Sequence, residues 1–283
     1  MRIRKAVVAA VAATALPFAS LALGGSASAA TPSCTPNFFN NSNTFLDCLT
    51  PFNQEFGLNY VWDVYHAQAK PGTPVILFQN TTHDGAEDFS FYADGSVCDF
   101  YQAGLVSAAV VLHYGGGNYC FQNGSGGPND FFAFEAEYTP YGRPSGLCVG
   151  VPWTARRGTP VLLEPCGETS KTVWILDQAD PQPQCSPSFS GLPDGYLALI
   201  NGSDRNFSHP FVLNYPGNGA APWDRPRPVL TTDNLAIYSN GTVFDNQMWG
   251  LTYAGPQQSF PPPCFPLFGP LSAGTASGPA TAR

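Results

Sequence analysis

The chain has 283 residues, with twelve Lys or Arg against twenty Asp or Glu and a formal net charge of −8. So acidic a chain, lacking any Lys/Arg cluster, repels phosphate, and nucleic acid is excluded as an expected partner. Only 11% of residues are charged, while Gly (29), Pro (28) and aromatics (13%) are abundant, the composition of a loop-rich, all-β extracellular protein.

Residues 1–29 read as a secretory signal peptide. Arg2, Arg4 and Lys5 precede an Ala/Val/Leu-rich stretch that ends in Ala27-Ser28-Ala29, an A-x-A cleavage site. The stretch is Ala-rich and broken by Pro17, which argues against a membrane anchor. Cleavage removes three of the twelve cations, leaving nine against twenty acids and a net charge of −11. The mature chain is expected to be secreted, soluble and monomeric, with no membrane insertion.

Residues 30–57 form an Asn/Pro/Ser-rich N-terminal arm, and short apolar runs alternate with turn signals across 58–255. "GLVSAAVVLHYG" (104–115) fits a short helix or a strand. "FFAFEAEY" (131–138) alternates with period two, as a strand does. A Gly/Asn-rich loop lies between them. Residues 256–283 are Pro-rich, and a partly disordered tail is expected there.

The eight cysteines, an even number in an exported chain, point to disulfides. Nearest-neighbour pairing gives Cys34–Cys48, Cys98–Cys120, Cys148–Cys166 and Cys185–Cys264, one of many possible connectivities. Cys148–Cys166 is the best supported, because it cross-links the arms of one hairpin. Without a C-x-x-C or a nearby His, the cysteines are not read as metal ligands, and no metal or cofactor is expected.

Three hairpin cores recur: "GTPVILFQN" (72–80), "GTPVLLEPC" (158–166) and "HPFVLNYPG" (209–217). The strand-like segments "YVWDV" (60–64), "LCVGV" (147–151) and "YLALI" (196–200) precede them. Apolar runs around Phe89, Trp174 and Leu235 follow. A gapless match between 92–105 and 238–251, Y-x-[DN]-G-[ST]-V-x-D-x(4)-G-L, makes Phe89, Trp174 and Leu235 equivalent. On that register "NQMW" (246–249) falls beyond the turn, although an alternative strand register would restore it.

Strand, G-T-x-V-x-L hairpin, x-x-W strand and D-G-[ST]-V turn, taken three times, resemble the β-trefoil of ricin B-chain-like lectins. "LCVGV…GTPVLLEPC…TVW" in the second unit is the most specific match, though its Q-x-W lacks the Gln. The resemblance implies an all-β, disulfide-stapled, β-trefoil-like domain of three hairpin units, with an insertion at about 99–145. It also implies carbohydrate binding by an acid on the first strand, an aromatic after the hairpin and an amide before the Trp. Carried over residue by residue, Asp63, Phe78 and Glu87 make the better site, with Ala86 where the amide should be. Tyr215 supplies the ring of a second site, with Leu199 where its acid should be and Thr232 and Asp233 at the amide positions. Gly150, Glu164, Lys171 and Thr172 replace the ligand residues of the middle unit. Packing is the competing role for Phe78 and Tyr215.

The expected function is non-catalytic binding of a polysaccharide or other glycan. The alternative is an exported protein-interaction or inhibitory trefoil. A third reading is a glycan hydrolase using Glu135 and Glu137, which period-two geometry places about 7 Å apart on one strand face. "HDGAED" (83–88) is acidic but lacks a calcium-loop spacing.

Overall fold

The computed structural model describes residues 46–81, 85–92, 95–127, 129–177, 182–183, 195–217 and 228–253. The leader, most of the arm, the Pro-rich tail and the pairings Cys34–Cys48 and Cys185–Cys264 fall outside them. The first strands are β1 (Leu46–Asn53), β2 (Tyr60–Val64), β3 (Val75–Gln79) and β4 (Phe89–Tyr92). Three short helices follow: α1 (Val97–Gln102), α2 (Ala108–Tyr114) and α3 (Asn118–Asn123). Next come β5 (Ala133–Tyr138), β6 (Leu147–Gly150), β7 (Thr159–Pro160), β8 (Leu162–Pro165) and β9 (Val173–Leu176). The last are β10 (Gln182–Pro183), β11 (Gly195–Tyr196), β12 (Leu199–Asn201), β13 (Phe211–Asn214), β14 (Thr231–Asn234) and β15 (Trp249–Tyr253).

Strand pairing sorts these into three equivalent units around a closed barrel. Each unit's last strand pairs with the first strand of the next: β4 with β5, β9 with β12, β15 with β1. Within units, β1 pairs with β4, β5 with β9, and a bridge joins Leu197 to Trp249. The two remaining strands of each unit form a hairpin: β2/β3, β6/β8 and β13/β14. The hairpins meet in a cycle of three backbone hydrogen bonds. Val75 N–H donates to the Val161 carbonyl (3.0 Å), Val161 N–H to Leu230 (2.8 Å), and Leu230 N–H to Val75 (2.9 Å). A six-stranded barrel capped by three hairpins about a pseudo-threefold axis is the β-trefoil.

Period-two patterning drives the hairpins onto the barrel. On β2 and β3, Trp62, Val64, Val75 and Leu77 point into the barrel core and are fully buried. Burying such side chains contributes about 1.5–3 kcal/mol each. Each unit places one Trp in this core. Trp174 and Trp249 stand at equivalent points of β9 and β15, and their indole N–H groups donate to the carbonyls of Val149 (2.8 Å) and Leu213 (3.0 Å). The first unit exchanges the two positions. Phe89 takes the β4 place, and Trp62 stands on β2 where the others have Val149 and Leu213. Its ring packs edge-on against Phe89 (5.7 Å) and Trp249 (5.9 Å). Its Nε1 is buried without a hydrogen-bond acceptor.

This register corrects the sequence reading of the third unit. "YLALI" belongs to the first strand of the unit, not to its hairpin. Ile200 pairs with Val212, and the hairpin is β13/β14. Trp249, not Leu235, is equivalent to Trp174, so "NQMW" occupies the motif position that the resemblance assigns. The fourteen-residue match is not structural, because Tyr92 ends β4 whereas Tyr238 precedes β15. Its turn signals are local. Ser96 caps α1 by accepting from Asp99 N–H (3.2 Å), while Gly241, at φ 87°, closes a turn with Tyr238.

The insertion is shorter than expected, because β5 is a barrel strand. It comprises α1–α3, clipped by the Cys98–Cys120 disulfide. "GLVSAAVVLHYG" contains helix α2, capped by Ser107 accepting from Val110 N–H (3.4 Å), with Val110, Val111 and Tyr114 buried. The Cys148–Cys166 disulfide clips the second hairpin as expected.

Candidate functional site

The register superposes the three units at every position the resemblance singled out. Asp63, Gly150 and Asn214 are equivalent on β2, β6 and β13, and Phe78, Glu164 and Asp233 on β3, β8 and β14. Counted back from Phe89, Trp174 and Trp249, Ala86-Glu87, Lys171-Thr172 and Asn246-Gln247 are the third set.

In the first unit Asp63 pairs with Ile76, and Phe78 lies two residues further along β3. Strand alternation therefore puts Asp63 and Phe78 on the same outward face, diagonal neighbours about 7–8 Å apart. Asp63 is buried and Phe78 half-buried. Beyond Asp63 the chain turns through His66 (φ 55°) and Ala67 (φ 52°), both left-handed, with the Tyr65 and His66 rings 4.0 Å apart. Tyr141, from the second unit, is also left-handed (φ 52°), and its N–H donates to Asp88 Oδ2 (2.8 Å). Its half-exposed ring lies flush on Gly85, where an added Cβ would meet it at 2.7 Å. Non-glycine residues in this region cost about 1 kcal/mol or more each, and such strain persists where the surroundings enforce it. Three of the four left-handed non-glycine residues found among the described residues belong to these turns.

Glu87 faces inward. It is 2% exposed, and its Oε1 accepts from Thr81 N–H (2.8 Å) and Thr81 Oγ1 (2.9 Å). Gln247 does the same in the third unit, accepting from Ala236 N–H (2.8 Å) and donating to the Asn234 carbonyl (2.8 Å). Both clamp the chain leaving their hairpins, so Glu87 is a fold residue, in correction of the sugar contact expected for it.

In the middle unit the position equivalent to Asp63 is closed. A Cβ at Gly150 would lie 2.9 Å from both the Lys171 carbonyl oxygen and Thr172 Cγ2. Burial raises the Glu164 carboxyl above its ordinary value, and Lys171 partly offsets that.

In the third unit Tyr215 is 0% exposed, edge-on to Phe56 at 5.1 Å. It belongs to the core with its equivalents Val64 and Val151, so the stacking role expected for it is corrected. The ligand positions there are Asn214, Asp233 and Asn246. Asn246 Nδ2 reaches Asn214 Oδ1 and the Tyr215 carbonyl, both at 2.9 Å. Asp233, in the ring position, pairs with Arg157 (3.1 Å). The amide pair was spelled in "NQMW", and the register misassignment hid it.

Glu135 and Glu137 are both buried on β5. Glu135 accepts from Gly167 N–H (3.0 and 3.1 Å) and Thr172 Oγ1, and Glu137 from Gly146 N–H (2.6 Å). They hold the two ends of the disulfide hairpin.

The sequence matches no family model and no curated protein. Among solved structures it is similar to a designed threefold-symmetric protein, ThreeFoil, at 15% identity and a TM-score of 0.40, covering 72% of this chain and 96% of that one. It is also similar to a mosquitocidal holotoxin at 11% identity and a TM-score of 0.39, covering 72% of this chain. The chain spans only 17% of the toxin's length. The trefoil assignment rests on the strand register and the hairpin cycle.

Proposed function

We propose that the protein is an exported, non-catalytic carbohydrate-binding protein whose site is the outward face of the first hairpin. The observation that carries this is the placing of Asp63 and Phe78 on one face, about the width of a sugar ring apart. A carboxylate accepts from paired hydroxyls, and an aromatic ring covers the apolar C–H face. The third unit, with Asn214 and Asn246 but no ring, is the weaker site. The leader-like N-terminus and two disulfides support export, and no helix among the described residues is long and apolar enough to cross a membrane.

A glycan array probed with the mature chain tests this reading. Binding is expected, and Asp63→Ala and Phe78→Ala each remove it while Tyr215→Phe does not. Binding that survives both Ala variants sinks the site. One observation favours a second reading, an interaction domain. The insertion exposes Leu112 (58%), Tyr119 (46%) and Phe121 (39%). If the array is silent and the chain captures a protein from culture fluid, loss of capture in Leu112→Ser/Phe121→Ser supports it.

A further inference from the structure

We propose that the middle unit, closed as a sugar pocket, carries a different site: a surface for an acidic saccharide on the loop from Pro152 to Gly158. Trp153 is 53% exposed, whereas Trp62, Trp174 and Trp249 are buried.

The loop that displays Trp153 is held firmly. Ala155 N–H donates to Ser203 Oγ (3.0 Å) and Arg156 N–H to Thr159 Oγ1 (3.1 Å). The Arg156 carbonyl accepts from Thr232 Oγ1 (2.6 Å), and Gly158 N–H donates to the Thr232 carbonyl (2.7 Å). A ligand meeting such a loop loses little affinity to ordering it.

Charge singles out the same place. The described residues include six cations, Lys70, Arg143, Arg156, Arg157, Lys171 and Arg205, and three of them gather here in a chain of net charge −8. Lys171 Nζ donates to the Pro152 carbonyl (3.1 Å), which ties an ammonium to the residue before Trp153 in this loop. Two of its three N–H groups remain for other acceptors. Glu164 interacts with Lys171, and Asp233 pairs with Arg157. Arg156 is exposed and makes no ion pair among the described residues.

An exposed indole on the same loop as the exposed Arg156, with Lys171 bound to the residue before it, suits a pyranose that bears a carboxylate. The C–H face lies on Trp153 and the carboxylate meets the cations. A neutral sugar leaves the cations unused. The charge of the rest of the chain opposes any long polyanion, so a short acidic saccharide that meets only these cations is the occupant.

Fluorescence of the full chain tests this, with acrylamide as quencher. Oligogalacturonate is expected to shield the exposed indole saturably, less so as salt rises, while maltooligosaccharide of equal length has no effect. Trp153→Ala is expected to abolish the response, and Arg156→Gln and Lys171→Gln to weaken binding roughly twofold to fivefold each. Equal shielding by the neutral oligosaccharide overturns the acidic class. An equal response to polyglutamate overturns the saccharide, and a response retained in Trp153→Ala overturns the site. The readout is the indole itself, so failure of sugar binding at Asp63 leaves this test intact.

Discussion

The exchanged tryptophans allow an internal comparison. Trp62→Phe and Trp174→Phe remove the same atoms from the same core, at 0% exposure in both cases. The lost ring leaves a cavity worth about 1–2 kcal/mol at either site. Trp174→Phe also deletes the 2.8 Å bond to Val149 and strands a buried carbonyl, adding about 1–3 kcal/mol. Trp62→Phe deletes an indole N–H that has no acceptor, and relief of that penalty offsets most of the cavity. The expected difference is about 3 kcal/mol, or roughly 6–12 °C in Tm for a domain of this size. Urea denaturation followed by far-ultraviolet circular dichroism, which does not depend on the altered fluorophore, reads it directly. Equal destabilisation by the two substitutions would refute the reasoning, because it would mean that the Trp174 bond adds nothing.

Three further outcomes are expected. Removing the Cys148–Cys166 bridge, whose cysteines are 18 residues apart, lowers stability by about 3 kcal/mol in urea titration. Glu137→Ala in that background costs more than in the oxidised protein, since the same hairpin ends are then held by neither. Gly150→Ala forces a methyl against the Lys171 carbonyl and destabilises by about 1–3 kcal/mol, while Gly146→Ala is opposed by its φ of 72° rather than by crowding. Burial raises the Asp130 carboxyl, and hydrogen bonds from Ser96 and from the Cys98 N–H (3.3 Å) only partly offset that. A raised carboxyl stabilises most below the ordinary aspartate range and loses that contribution as pH climbs through its folded value. Asp130→Asn is therefore expected to raise Tm at pH 7 and to make little difference near pH 3, and thermal melts at the two values check the sign.

The first two units were legible because their hairpins carry both period and punctuation. Val64 and Val75 pair across β2 and β3, and Gly158, at positive φ, turns the connection between β6 and β8. The Cys148–Cys166 bridge was legible for the same reason. In the third unit the β12/β13 pair, Ile200 opposite Val212, has nearly the spacing of a hairpin cap. Nothing in local alternation tells a barrel pair from a cap pair, so this unit reads one strand out of register from sequence, and Tyr215, which fills the core, reads as a ligand ring. Trp62 hid the unit symmetry further, by moving the diagnostic Trp to the neighbouring strand. Asp63 and Phe78 share a face by alternation alone. The closure of Gly150 depends on Lys171 and Thr172 arriving from another strand, and no linear pattern announces it.

The pairing of β15 with β1 also fixes how the molecule presents itself. Asn53 lies opposite Trp249 and Leu49 opposite Tyr253, and β1 then feeds the first hairpin from its Asn53 end. The chain thus enters and leaves the barrel side by side, at the pole away from the three hairpins. The first and last described strands are neighbours, and their outer ends lie at the barrel end opposite the hairpin that carries Asp63.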